Sequence, residues 1–262
     1  MLAYHKTYNE FCDDINKGQI VNQIQNALCR SFGPSEQKSF RVSLSSLKNA
    51  LSNVNIPTDV QVGLEVNVPL TSKRIDFVIA GEDDNDQKNV VIVELKQWEE
   101  VLHTDMSDVV LLGTQEKVHP SWQAYSYGTT ISNFNEYVEN NPINLYTCCF
   151  LHDYKTEYEG EIKNIVYSEG IKKSPAFISD EWVKFAEFIS SKIKKSSDVD
   201  ILYELVNGKI KPSKFLVDCL SDSLNGNSKI ELIDQQRVAF SNLNKEIDKA
   251  LKTNERKVII VR

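Results

Sequence analysis

Three charged residues stand inside apolar runs where charge is costly: Asp76 in Arg74-Ile75-Asp76-Phe77-Val78-Ile79, and Glu94 and Lys96 in Val90-Val91-Ile92-Val93-Glu94-Leu95-Lys96. Both runs are β-branched, and a polar stretch from Gly81 to Lys88 separates them, so they read as two strands. Side chains alternate across a strand, which brings Glu94 and Lys96 out together, beside Asp76 if the strands are neighbours. Converging carboxylates are hard oxygen ligands suited to Mg²⁺ or Mn²⁺, and a lysine next to them can orient water or stabilise developing charge. The plainer alternative pairs Asp76 with Arg74 or Lys96 and makes Glu94 an edge charge that discourages aggregation.

A second pattern follows at His119-Pro120-Ser121-Trp122-Gln123-Ala124-Tyr125-Ser126-Tyr127. Pro120 suits the first turn of a helix, and four-residue spacing puts Gln123 and Tyr127 on one helical face. An acid on one strand, acid-x-lysine on the next, and then Gln-x-x-x-Tyr resembles the PD-(D/E)XK nucleases, their RecB-like members in particular. Ile75 stands where the family's name has proline. Pro34-Ser35-Glu36, Ser43-Leu44, Pro69 to Asp76 and Phe150-Leu151-His152-Asp153-Tyr154 extend the resemblance over most of residues 8–260, to the N-terminal part of bacterial nuclease–helicase fusions.

The resemblance implies Asp76, Glu94 and Lys96 as catalytic residues, with Asp76, Glu94 and the Leu95 backbone carbonyl holding Mg²⁺ or Mn²⁺. It implies that Gln123 and Tyr127 position the substrate strand or the lysine, and that the substrate is nucleic acid, DNA rather than RNA. It also implies two units, a nuclease-like domain over residues 1–226 and the incomplete start of a helicase domain over 227–262, with the motor following in cis. No G-x-x-x-x-G-K-[ST] is present, so the chain itself is not expected to hydrolyse ATP. The rival expectation is a catalytically inactive nuclease-fold module that binds nucleic acid for a motor.

Three further residues are weaker candidates. Glu36 begins an amphipathic helix, where related nucleases carry another acid, although such glutamates usually serve the helix dipole. Glu65 becomes a diagonal neighbour of Asp76 if the hairpin turns on Thr71-Ser72, with Asn67 then facing Asp76. His119 precedes the Gln-x-x-x-Tyr helix and more often caps than ligates; four scattered histidines make a zinc site improbable.

Around these residues the elements fall in the order α-β-β-β-α-β. Thr7-x-x-Glu10 is a capping box that opens a helical N-terminus, and Ile20 to Phe32 continues helical. Phe40, Leu44, Leu47, Leu51 and Val54 recur at helical steps, giving a packing helix from Ser35 to Ser52. Strands follow over Val60–Pro69, Arg74–Ala80 and Asn89–Leu95, then an irregular stretch, the helix from Pro120 and a strand over Leu145–Leu151. Helices are expected over Asp180–Lys194, Asp198–Val206 and Pro212–Leu224, and from Leu232 to Leu251, with a strand over Lys257–Val261. The class is α/β with a restriction-endonuclease-like core, a mixed sheet flanked by helices, and extra C-terminal helices.

Composition bounds this reading. With 262 residues, 41% of them hydrophobic, there is material for one large domain or a domain and a smaller piece. A net charge of −7 opposes broad affinity for phosphate backbones, so any nucleic-acid binding by this chain should be weak and salt-sensitive. No apolar run approaches the roughly 18 residues a membrane span needs, and a cytoplasmic protein is expected. Cys12, Cys29, Cys148, Cys149 and Cys219 lack C-x-x-C spacing, which argues against zinc, disulfides and an iron–sulfur cluster.

Overall fold

Apolar β-branched runs form a central sheet because such side chains pack well on a pleated surface, and helices cover both of its faces. The computed structural model describes residues 2–210, 221, 232–253 and 256–259. The chain begins with β1 (Tyr4–Thr7), α1 (Tyr8–Asn16), α2 (Ile20–Leu28) and α3 (Pro34–Leu51), followed by β2 (Gln61–Asn67), β3 (Arg74–Glu82) and β4 (Lys88–Lys96). A small sheet of β5 (Leu102–His103), β6 (Val109–Leu112) and β7 (Gln115–Val118) comes next. Then come α4 (Pro120–Phe134), α5 (Glu136–Asn140), β8 (Ile143–Leu151), α6 (Glu159–Ile162), α7 (Ser168–Lys173), β9 (Ala176–Ile178), α8 (Trp182–Ser190) and α9 (Ile201–Asn207). The last described helix, here the C-terminal helix, is Gln235–Thr253.

The large sheet has the order β1-β2-β3-β4-β8-β9; its first three pairings are antiparallel, and β4-β8 and β8-β9 are parallel. It is a six-stranded mixed sheet flanked by helices, with the expected run α3-β2-β3-β4-α4-β8 inside it. One core joins Phe77, Ile79, Val91 and Val93 to Phe11, Leu44, Leu47 and Phe185. The other joins Val78, Val90 and Ile92 to Tyr127, Ile131 and Leu202. Each fully buried Leu or Ile contributes about 1.5–3 kcal/mol, so α3 is fixed by its Leu44-Leu47-Leu51 stripe.

Several expectations need correction. The N-terminus is not helical from its start: Tyr4 to Thr7 pair with β2 in the register Tyr4↔Leu64 to Thr7↔Gln61 before the capping box opens α1. In that box Thr7 Oγ1 accepts the Glu10 N–H at 3.3 Å, and the Glu10 carboxylate accepts the Thr7 N–H at 3.0 Å. α2 stops at Leu28, not Phe32, because Cys29 turns left-handed at φ 49°. The stretch expected to be irregular contains the three-stranded sheet, and α6, α7 and β9 were not anticipated. The region expected as a helix over Asp180–Lys194 is a 3₁₀ turn and the shorter α8. Lys257 to Ile259 are not in a strand. The Pro212–Leu224 helix falls almost wholly outside the described residues, as does Cys219; the other four cysteines are free thiols.

The sheet changes face where the charged residues lie. Leu64 and Phe77 point into the α3 core, yet Val66 and Ile75, two residues along, point into the α4 core. Simple alternation would keep each such pair on one face. Between them Glu65 adopts a left-handed φ of 51°, the local irregularity that accompanies the switch.

Candidate functional site

The β3-β4 register ends at Phe77↔Val93, and Asp76 and Glu94 are the next residue on each strand. Asp76 Oδ2 accepts the Leu95 N–H at 2.8 Å, so the acid of one strand is held by the backbone of the next. Lys96 Nζ donates to Glu94 Oε1 at 2.7 Å and lies 5.3 Å from the centre of the Trp98 ring. The plainer alternative is not met: Lys96 pairs with Glu94 and not with Asp76, Arg74 donates to Asn67 Oδ1 at 3.1 Å, and Glu94 lies on an interior strand.

Two carboxylates therefore share one lysine in a buried setting, and their titration reflects it. Burial raises Asp76 above the usual carboxylate range, opposed by the Lys96 charge. Burial and then the Asp76 charge raise Glu94, again opposed by Lys96. Burial alone would lower Lys96, but the charges of Glu94 and Asp76 outweigh it and leave the ammonium favoured. Glu94 Oε2 is buried and has no hydrogen-bond partner. An orphaned acceptor of this kind costs about 1–3 kcal/mol unless a proton or cation meets it.

Gln123 and Tyr127 come together as their spacing requires: Gln123 Nε2 donates to Tyr127 Oη at 3.0 Å. Tyr127 in turn donates to Asp234, 3.2 Å from one carboxylate oxygen and 3.3 Å from the other. Asp234 also pairs with Lys73 at 2.8 Å. A cavity of about 190 Å³ joins Lys73, Lys96, Trp98, Gln123 and Asp234. Sequence reasoning missed Lys73 and Asp234 as site residues. Lys73 sits in the β2-β3 connection, and Asp234, an N-cap residue type, only marked where the C-terminal helix begins.

That helix packs against the same region. Arg237 lies 4.3 Å from the centre of the Trp122 ring and 3.5 Å from Asp108, and Ser241 donates to Asp108 at 2.5 Å. The stretch read as the start of a separate domain thus lays a carboxylate at the mouth of the site.

The weaker candidates separate. Glu65 falls level with Asp76 between the pairs Leu64↔Phe77 and Val66↔Ile75, though the two residues do not themselves pair, because the observed register is Asn67↔Arg74 and the connection spans more than Thr71-Ser72. Burial raises its pKa, opposed by Arg74 and reinforced by Glu94. It lines a 140 Å³ cavity with Asp76, Leu95, Ser39, Phe40 and Ser43. Ser43 Oγ lies 2.9 Å from His152 Nε2, and His152 Nδ1 lies 2.9 Å from Asp153. Glu36 instead pairs with Arg30 at 2.6 Å, at the start of α3.

His119 is a cap. Its Nδ1 accepts the Ser121 N–H at 3.2 Å, and its Nε2 lies 2.8 Å from the Ile162 carbonyl, so both ring nitrogens are engaged and a metal has no lone pair to take. Burial lowers its pKa from the ordinary 6.5 to about 4, against the bond to Ile162. Between those two values the unfolded chain binds a proton that the folded chain refuses, so stability falls as pH drops from 6.5 toward 4. The expected loss is on the order of 3 kcal/mol. Denaturant melts of His119→Asn, which keeps a capping acceptor, should lack this component; an unchanged pH slope refutes the assignment.

Among the described residues no three His, Cys, Asp or Glu side chains are grouped to hold a metal ion. Two carboxylates, one with an orphaned oxygen, nevertheless suit a divalent cation completed by backbone oxygen and water. No described helix is long and apolar enough to cross a membrane. No protein-family model, curated protein or solved structure matches the chain.

Proposed function

We propose that this protein hydrolyses nucleic-acid phosphodiester bonds, DNA in preference to RNA, as a metal-dependent nuclease domain of the PD-(D/E)XK, RecB-like type. The observation that carries the reading is the trio of buried Glu94 and half-buried Asp76 and Lys96, with the unpartnered Glu94 Oε2 beside Asp76. The strand order and the α3-β2-β3-β4-α4-β8 run support a restriction-endonuclease-like core. Asp76, Glu94 and the Leu95 carbonyl would hold Mg²⁺ or Mn²⁺, which supplies Lewis acidity to the phosphate and acidity to a bound water.

The chain's own groups do the rest. The Leu95 N–H fixes Asp76, while Glu94 holds the Lys96 ammonium near the reacting phosphate, where it offsets the charge gained as water attacks in line. Gln123 orients the Tyr127 hydroxyl toward the position that Asp234 now fills, and Lys73 offers a second cation there. Asp234 therefore stands where a substrate phosphate would meet Lys73 and Tyr127. Asp234→Ala should raise oligonucleotide affinity about tenfold in EDTA, measured by anisotropy, by removing a like charge from the mouth. Equal or weaker binding contradicts that role. In the wider reading, residues 1–226 are the nuclease unit and a helicase motor follows in cis.

The two-carboxylate donor set favours one other reading, a nuclease-fold module that binds without cutting. Labelled single- and double-stranded DNA and RNA, incubated with Mg²⁺, Mn²⁺ or EDTA, separate the two. Cleavage with metal and none in EDTA supports the nuclease; binding without cleavage under every condition supports the module.

A further inference from the structure

An uncommitted surface lies on the far side of α4, where β8 runs beyond its neighbour. β9 pairs only with Cys149 to Leu151, because it begins only at Ala176, after α7 and Pro175. The edge of β8 before Cys149 has no strand beside it among the described residues. Cys149 sends its N–H outward to the Pro175 carbonyl, so by alternation Leu145 and Thr147 direct their backbone groups to the same open side. A cavity of about 550 Å³ follows this edge.

Its walls are positive in a protein of net charge −7. Lys172 and Lys173 at the end of α7 and Lys192 after α8 line it, and no carboxylate does. Lys173 is 4.8 Å from the Tyr125 ring and pairs with Glu169 on its own helix; Lys192 is 4.7 Å from the Tyr146 ring. Lysines that guard an edge strand commonly project from the strand itself. These come from flanking helices and leave the edge open.

We infer that this groove is a docking site for an extended acidic peptide of a partner protein, which adds a strand to β8 and sets its carboxylates against Lys172, Lys173 and Lys192. Open backbone donors and acceptors select an extended polypeptide, and the acid-free lysine walls select its charge. A second copy of this chain would bring three more lysines to the same seam and repel. A nucleic acid has no use for the strand edge and finds both tyrosine rings already covered by lysine. The inference is independent of the phosphodiester chemistry.

The test uses fluorescence anisotropy with the whole protein and four probes: an alternating Glu–Val peptide, the same peptide N-methylated at alternate amides, a Lys–Val peptide and oligothymidylate. The Glu–Val peptide should bind, with affinity falling about tenfold or more on N-methylation and again in Lys172→Glu/Lys192→Glu. The Lys–Val peptide should not bind. No Glu–Val binding, or equal binding of the methylated peptide to the unaltered protein, overturns the inference whatever the variant does. Oligothymidylate binding that the Lys172→Glu/Lys192→Glu variant loses, without peptide binding, assigns the groove to nucleic acid instead.

Discussion

Asp76→Ala and Glu94→Ala should each lose the proposed metal-dependent cleavage by about a thousandfold or more, while Asp76→Asn and Glu94→Gln should melt at or above the parent's temperature without metal. The activity loss follows from removing several kcal/mol of charge stabilisation, at about 1.4 kcal/mol per factor of ten. The stability gain follows from the count of charges. Where both acids are ionised, Asp76 and Glu94 share the single Lys96, so deleting either negative charge leaves a balanced pair; at lower pH the proton on Glu94 already supplies that balance. The sign with pH is definite. Glu94 binds a proton in the folded protein at pH values where the unfolded chain has released it, so apo stability declines as pH rises above the ordinary carboxylate range. Glu94→Gln should flatten that decline. Undiminished cleavage by either alanine variant ends the metal-site assignment; a flat parent profile removes the charge-count argument.

Lys96→Met should reverse the stability effect and keep the loss of activity. Without the ammonium, buried Glu94 and half-buried Asp76 face each other with no cation, which destabilises the apo protein by up to about 3 kcal/mol where both are ionised. An ammonium cannot ligate a metal, so Mn²⁺ should still bind and restore the missing positive charge. The melting temperature of Lys96→Met should therefore rise more on adding Mn²⁺ than the parent's does, with cleavage absent in both conditions. Calorimetric titration decides: loss of the Mn²⁺ isotherm shows that Lys96 builds the site instead of acting in it.

Local patterning made the elements around the trio legible. The α3 stripe, the two central strands and the capping box are each written within about twenty residues, where period and cap chemistry suffice. Features that depend on distant partners were not. β1 is a strand because β2 lies beside it, and the small sheet exists because β5, β6 and β7 find one another across turns. Glu65 was misplaced by two residues of register, since the β2-β3 connection is longer than the tightest turn permits. Asp234 could not be foreseen at all: 107 residues separate it from Tyr127, and nothing near it in sequence shows the contact.

That contact ties two equilibria together. Asp234 leads directly into the C-terminal helix, which is pinned through Arg237 and Ser241 to Asp108. An anion that took Lys73 from Asp234 would remove one contact near the start of this helix, and if the two are coupled, reciprocity requires that loosening the helix strengthen the anion by the same factor. Tension on the chain at Thr253 and a ligand at Lys73 would then be read by the protein as one signal.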